Sequence, residues 1–279
     1  MEKQHSQHLK LAQRIAAQFS VFPNVEAVGL AGSQIGGGVD QDSDIDLYLY
    51  TTEVIPLSER RAIVEAGGAT RASLDLKFWD LGDEWYDAAT GIEVDIIYWD
   101  TAWIAAQLER VLGQQQASMG YSTCFWHTLR NSVILYDRRG WLQQLKEQSA
   151  VPFPEPLRRA IIAKNHPVLR QVIPSYRHQI AKAIRRQDLV SLNHRVAALL
   201  ASYFDVLFAL NRLPHPGEKR LLKIAAERCE KLPQGMTAQV EGLLHALPSA
   251  ERGLIERLDE LLDGLDLLLL AEGFTTEEK

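Results

Sequence analysis

The proline-rich segment 151–156 divides the chain into two parts with different sequence patterns. It reads VPFPEP, and three prolines in five residues interrupt any regular helix or strand. Before it, helical stretches alternate with strands, which the apolar–polar alternation predicts at 25–31, 45–50, 74–79, 92–99 and 133–136. After it, apolar residues follow the 3.6-residue period of helices. The sequence therefore predicts an α+β protein, with a mixed-sheet domain over 1–150 and an all-α helical bundle over 151–279.

The charge of the chain changes sign along its length. Residues 1–150 carry 12 basic and 20 acidic side chains, 158–228 carry 14 basic and 4 acidic, and 229–279 carry 4 basic and 11 acidic. Duplex nucleic acid needs a broad basic face, so we expect no duplex binding. A small polyanion bound beside a neutral or cationic molecule fits the pattern better. Solvated helix faces would also explain each block.

We find no sequence pattern for export or membrane insertion. The first ten residues, MEKQHSQHLK, lack the apolar core of a signal peptide. The longest apolar run, 196–201, is much shorter than the roughly 20 residues of a membrane span. Cys124 and Cys229 have no spacing typical of a zinc site or a disulfide framework. These observations predict a cytoplasmic protein with reduced thiols and no membrane partner.

The stretch 29–50, GLAGSQIGGGVDQDSDIDLYLY, carries residue types that bind metal and phosphate. A strand ends in Gly32 and Ser33, a flexible loop follows, and a second strand opens at Asp44. Since alternate side chains of a strand share a face, Asp44 and Asp46 project together. Two carboxylates at one strand end suit Mg²⁺, which also takes water and phosphate oxygens. Gly32 lets a triphosphate approach the backbone, and Ser33 offers it a hydroxyl and an N–H.

The later strand GIEVDIIYW, 91–99, supplies further carboxylates. Glu93 and Asp95 share one face of it, whereas its apolar residues occupy the other. If this strand neighbours the first aspartate pair, Asp95 joins the metal site or accepts the proton of an attacking hydroxyl. Bound magnesium would offset the repulsion among three carboxylates. Glu93 is a candidate substrate-binding residue, and a solvated role fits it equally well.

Together, these residues resemble the signature of the DNA polymerase β-type nucleotidyltransferase superfamily. The two-part layout is similar to that of the aminoglycoside and lincosamide nucleotidyltransferases, which implies a role in antibiotic resistance. The resemblance implies that Asp44, Asp46 and Asp95 ligate magnesium, with two ions, and that Gly32 and Ser33 hold the triphosphate. It also implies transfer of AMP, or another nucleoside monophosphate, from ATP or another NTP to a hydroxyl of a small acceptor.

The segment 208–220, FALNRLPHPGEKR, resembles the helical domain of uncharacterised nucleotidyltransferases of this layout. Its Pro-Gly pair at 216–217 predicts a helix whose first turn carries Lys219. Basic groups near a helix N-terminus bind phosphate, so Lys219 and then Arg212 are the candidates for a nucleotide clamp. A solvated helix start is the alternative.

The segment 78–87, FWDLGDEWYD, mixes aromatic and acidic residues between two predicted strands. A stacking surface with negative charge suits a cationic sugar or amine acceptor, and we take Trp85 as the candidate contact. Packing in the core would explain the same aromatic residues.

Two other functions use the same residues. A protein-modifying (AMPylating) enzyme of the antitoxin type would transfer the nucleotide to a partner protein, although such chains are usually shorter. A non-catalytic nucleotide-binding module would not need three carboxylates. An EF-hand starting at Asp40 is excluded, because Ile45 and Thr51 occupy the positions where that loop needs Gly and Glu. A monomer and a homodimer are both compatible with the sequence.

Overall fold

The computed structural model describes residues 2–31, 44–78, 80–249 and 253–275. The chain forms two compact units, of which the first comprises Met1–Glu109 and Thr128–Val151 and the second comprises Arg110–His127 and Pro152–Lys279. A mixed β-sheet is accompanied by many helices, so the predicted α+β class is confirmed.

The first unit contains a six-stranded sheet with the order β3-β4-β5-β2-β1-β6. Its strands are β1 Val25–Ala31, β2 Ile45–Thr51, β3 Ala69–Leu76, β4 Gly82–Asp87, β5 Glu93–Asp100 and β6 Val133–Asp137. β2 and β5 run parallel, and the other neighbouring pairs run antiparallel. β5 therefore lies beside β2, as the position of Asp95 near the first aspartate pair requires.

Helices contact this sheet, and their bounds are α1 Glu2–Phe19, α2 Leu57–Ala66, α3 Thr101–Leu108 and α5 Trp141–Ser149. The helix α4, Cys124–Asn131, spans the boundary between the two units. A π-helical turn, Glu109–Gly113, follows α3. The apolar side of α1 packs on one face of the sheet in a shared core with the inward residues of β2 and β5, namely Leu11, Ile15, Phe19, Ile45, Leu47, Leu49, Val94 and Ile96. This burial leaves the opposite face of β2 and β5 for polar side chains.

Strand β4 was not predicted from the sequence. Two of its inward-facing residues, Asp83 and Asp87, are acidic but buried, so the apolar alternation of a strand is hidden. Each acid has a basic partner: Arg60 Nη1 lies 2.6 Å from Asp83 Oδ1, and Arg14 is paired with Asp87. The hydroxyl of Tyr98 also donates to Asp83, at 2.7 Å. These partners compensate the cost of burying the two carboxylates.

The second unit is helical where the structure describes it. Its helices are α6 Glu155–Asn165, α7 Pro167–Arg170, α8 Tyr176–Arg185, α9 Leu189–Leu210, α10 Leu221–Arg228, α11 Met236–Ala246 and α12 Leu254–Ala271, with a 3₁₀ turn at Leu247–Ser249. α9 is central, because α6 and α8 both pack against it and its residues 202–210 are all buried. No helix in the described ranges combines the length and apolarity needed to cross a membrane.

An ionic network joins α12 to the earlier helices of this unit. Asp259, Asp263 and Asp266 recur at helical spacing on α12, and their basic partners are Arg177, Arg170 and His166. The network holds α7 and α8 against the aspartates of α12. Part of the basic segment 158–228 and of the acidic segment 229–279 therefore serves to stabilise the fold.

Candidate active site

The carboxylates of Asp46 and Asp95 occupy adjacent positions on one face of the sheet. In the parallel pair of β2 and β5, Asp46 is the register partner of Asp95. Neighbouring strands lie about 4.8 Å apart, and register partners project to the same side. Both aspartates are half-buried, whereas Ile45 and Val94, one residue earlier, are fully buried on the other side. The structure thus brings together two of the three predicted metal ligands.

Other acids surround this pair. Glu84 of β4 is the register partner of Asp95 across the antiparallel edge, so it continues the row, and it is exposed. Asp44 immediately precedes β2 and is half-buried. The hydroxyl of Tyr86 donates to Glu93 Oε2 at 2.8 Å, which holds this carboxylate against β4. Glu84 was missed from the sequence because strand β4 was missed.

Gly32 and Ser33, the predicted triphosphate-binding residues, lie outside the described residues. Within the ranges that the structure describes, no three His, Cys, Asp or Glu side chains form a group that could hold a metal ion. The observed feature is therefore a pair of aspartates, and magnesium and triphosphate binding stay predictions.

A stacked aromatic pair lies next to the aspartates. Tyr48 follows Asp46 by two residues, and its ring stacks on Trp99 with centroids 4.2 Å apart and an interplanar angle of 27°. The indole Nε1 of Trp99 donates to Asp80 Oδ2 at 3.2 Å. The ring of Trp103 lies beside that of Trp99, with centroids 5.9 Å apart. Tyr48 was not among the predicted site residues, and Asp80 was included only as one acid of the segment 78–87.

The pKa of Tyr48 responds to the three carboxylates around it. Burial raises the pKa of its phenol, and the negative charges of Asp46, Asp95 and Asp80 raise it further. Tyr48 therefore keeps its proton at every physiological pH and presents a neutral O–H donor among three acids.

Trp85 does not lie on the aspartate face. It is the register partner of Val94, it is only 5% exposed, and it packs in the hydrophobic core with the inward residues of the sheet. Its neighbour Glu84 takes the outward position beside Asp95. The interpretation of Trp85 as a packing residue fits this position, so we leave it out of the proposed substrate contacts.

Lys219 and Arg212, the predicted nucleotide clamp, belong to the second unit. Lys219 is exposed in the turn before α10, and Arg212 Nη2 lies 3.2 Å from Glu155 Oε2. The predicted helix start at 216–217 is wrong, because α10 begins at Leu221. Gly217, with φ 103°, and Arg220, with φ 59°, both adopt left-handed backbone conformations, which a helix cannot include.

A buried histidine anchors the loop that leads to Lys219. The His215 N–H donates to Thr123 Oγ1 at 2.7 Å, and the Gly217 N–H donates to His215 Nδ1 at 3.1 Å. Cys124 Sγ lies 3.5 Å from the same nitrogen. Burial lowers the pKa of His215 to about 3 and raises that of Cys124 to about 12. These shifts are opposite to those that activate a thiol, so the pair is structural.

Comparison with known proteins finds one matching family model and a similar crystal structure. Residues 123–221 match a family model described as a domain of unknown function, DUF4037. The chain is similar, at 15% identity and a TM-score of 0.43, to the crystal structure of a nucleotidyltransferase-like protein from Exiguobacterium sibiricum 255-15. That match covers 95% of this chain and 75% of the other. No curated protein matches the sequence.

Proposed function

We propose that this protein is a magnesium-dependent nucleotidyltransferase that transfers AMP, or another nucleoside monophosphate, to a hydroxyl of a small acceptor. The observation that carries the proposal is the register pairing of Asp46 with Asp95, with Asp44 two residues before Asp46. In the reaction, a bond forms between the acceptor oxygen and the α-phosphorus of the NTP. The bond from that phosphorus to the β-phosphate oxygen breaks, and pyrophosphate leaves.

Magnesium is the proposed cation. Asp46 and Asp95, which are register partners, offer the hard carboxylate oxygens that Mg²⁺ prefers, and Asp44 is the proposed third ligand. These residues would hold one or two ions together with phosphate oxygens of the NTP. Bound magnesium supplies charge neutralisation on the phosphates and polarises the α-phosphoryl group.

The side chains have distinct proposed roles. Asp95 accepts the proton of the acceptor hydroxyl, because it is half-buried beside Asp46 and lies next to the predicted metal ligands. Gly32 and Ser33 hold the triphosphate. Lys219 is the preferred phosphate clamp, since Arg212 already pairs with Glu155.

An aminoglycoside or a lincosamide is the proposed acceptor class. Its support is the negative character of the aspartate face, where Glu84 continues the row of Asp46 and Asp95 and Glu93 lies at the start of the same strand. Carboxylates in this number favour an acceptor that carries amino groups. The layout of the sequence resembles the antibiotic nucleotidyltransferases.

The direct test is a mass-spectrometric transfer assay. The protein is incubated with magnesium, each NTP in turn, and a panel of aminoglycosides and lincosamides, and we expect one acceptor to gain the mass of one nucleoside monophosphate. Asp46→Asn and Asp95→Asn should abolish the product and keep the wild-type circular dichroism spectrum. Glu65→Gln, an exposed acid on α2, is the matched control. Full activity in Asp46→Asn would disprove the assignment of the site.

The same assay separates the alternative function. With labelled ATP and a cell extract, a protein-modifying enzyme would place the label in a protein band. A small-molecule transferase would place it in the low-molecular-weight fraction only when an acceptor from the panel is present.

A further inference from the structure

Trp99 holds two polar side chains that come from different segments of the first unit. The ring of Tyr48, on β2, stacks on the indole at 4.2 Å, and the indole N–H donates to Asp80, in the loop before β4, at 3.2 Å. Trp99 itself is 5% exposed, so the anchor is fixed in the protein. A phenol and a carboxylate are thus positioned by one buried ring.

The Tyr48 side chain lies next to the aspartate pair on the same face of the sheet. Tyr48 and Asp46 are two residues apart on β2 and face the same side, which corresponds to a separation of about 7 Å along the strand. Trp99 stands four residues after Asp95 on the neighbouring strand β5 and faces that side as well. A molecule whose reacting oxygen contacts Asp95 would extend over Tyr48 and Asp80.

The two side chains still have hydrogen-bonding capacity. Among the residues that the structure describes, the Tyr48 hydroxyl has no hydrogen-bond partner, and the Asp80 carboxylate is bonded through Oδ2 to Trp99 alone. Asp80 is exposed and Tyr48 is half-buried. A hydroxyl group both donates and accepts, so a phenol O–H and a carboxylate held by the same indole offer what a hydroxylated ligand needs.

We propose that Tyr48 and Asp80, anchored on Trp99, bind the acceptor and determine which acceptors are used. Tyr48 donates a hydrogen bond to an oxygen of the acceptor, and Asp80 accepts one from a hydroxyl or an ammonium group. This inference rests on the proposed transferase function, because it assigns the acceptor subsite of that reaction. The pair contacts the part of the acceptor that does not react, so its loss should weaken acceptor binding and leave the NTP site intact.

Two substitutions remove the hydrogen bonds and keep the anchor. Tyr48→Phe retains the ring stack on Trp99 and loses only the hydroxyl. Asp80→Asn retains an oxygen that accepts from the Trp99 indole and loses the charge. Tyr136→Phe, at a half-buried tyrosine of β6, and Glu65→Gln are the matched controls.

The probes are kanamycin A and lincomycin, one from each proposed class, titrated by calorimetry without NTP or magnesium. For the compound that binds the wild type, we expect about 5-fold weaker binding by Tyr48→Phe and about 30-fold weaker binding by Asp80→Asn, with unchanged binding by both controls. In the transfer assay, KM for the acceptor should rise by similar factors, while KM for the NTP stays constant.

The outcomes distinguish the two proposals. Wild-type affinity in both Tyr48→Phe and Asp80→Asn would overturn the acceptor subsite, and transfer activity abolished by Asp46→Asn would still support the enzyme. If neither probe binds the wild-type protein, the subsite as stated is overturned as well. Equal rises in KM for acceptor and NTP would assign the pair a general structural role and also overturn the inference.

Discussion

Asp46 of β2 stands opposite Asp95 of β5 in a parallel strand pair, so two carboxylates occupy neighbouring positions on one face of the sheet. Like charges placed opposite one another across strands destabilise a sheet. A divalent cation bound between the two carboxylates would offset this repulsion.

Asp95→Asn should therefore remove the activity and reduce the stabilisation by magnesium. At about ten times its Kd, a cation that binds only the folded wild type raises the free energy of unfolding by about 1.4 kcal/mol, and the variant should gain less. Urea unfolding of both proteins, in a chelator and with magnesium, measures the two gains. Equal gains would contradict this account.

The ion pair of Arg60 with Asp83 gives a prediction about the fold. Both side chains are almost completely buried, and Arg60 also contacts Asp75 at 2.8 Å and the Ile55 carbonyl at 3.0 Å. Arg60→Met should cost about 3–5 kcal/mol of unfolding free energy, because it leaves a buried carboxylate without its partner. Arg61→Ala, at the exposed neighbouring position, should stay within about 0.5 kcal/mol. Similar losses of unfolding free energy in both variants would show that the buried ion pair contributes no more to stability than an exposed side chain does.

The sequence predicted those strands whose apolar residues alternate without interruption. In β2 and β5, buried aliphatic residues alternate with polar ones, so the pattern alone identified both strands and the shared face of Asp46 and Asp95. β4 was not predicted, because the acidic residues Asp83 and Asp87 occupy inward positions where an apolar residue is expected. Their burial depends on Arg60 and Arg14, which are distant in sequence and become partners only in the folded chain.

The same limit applies to the candidate site. Asp95 could be predicted because strand periodicity fixes its face. Tyr48 could not be predicted, and Asp80 was singled out only within the segment 78–87. The relation of both residues to the site passes through Trp99 and depends on where the loop before β4 lies. Trp85 was misleading for a related reason: an aromatic residue among acids resembles a binding surface until the register shows which side chains face inward.

Gly120 should tolerate a side chain less well than Gly140. Both glycines have left-handed backbones, with φ of 72° and 73°, so alanine costs about 1 kcal/mol at each. A Cβ at Gly120 would also lie 3.0 Å from Ala201 Cβ, whereas one at Gly140 would meet nothing within 4 Å. We expect Gly120→Ala to lose about 1–3 kcal/mol more than Gly140→Ala in thermal or urea unfolding. Equal losses would show that α9 moves at Ala201 enough to accommodate the added methyl group.

The buried carboxylate of Asp205 should make the free energy of unfolding depend on pH. This carboxylate is buried in α9, where it accepts hydrogen bonds from the Ser122 N–H at 3.1 Å, the Ser122 hydroxyl at 2.6 Å and Asn165 Nδ2 at 3.2 Å. Burial raises its pKa from 3.8 to about 6, although the bonds from Ser122 act in the opposite direction. The folded protein therefore binds the proton of Asp205 more tightly than the unfolded chain does.

The contribution of Asp205 to stability is consequently complete below about pH 4 and is lost as the pH rises through 6. One pKa unit corresponds to about 1.4 kcal/mol, so the loss is about 3 kcal/mol. Asp205→Asn cannot titrate, and the difference in unfolding free energy between wild type and variant should shift against the wild type from acid to neutral pH. Chemical unfolding of both proteins across this range measures the difference, which cancels the other titrating groups. A constant difference would mean that Asp205 has an ordinary pKa, because its three donors would then fully compensate its burial.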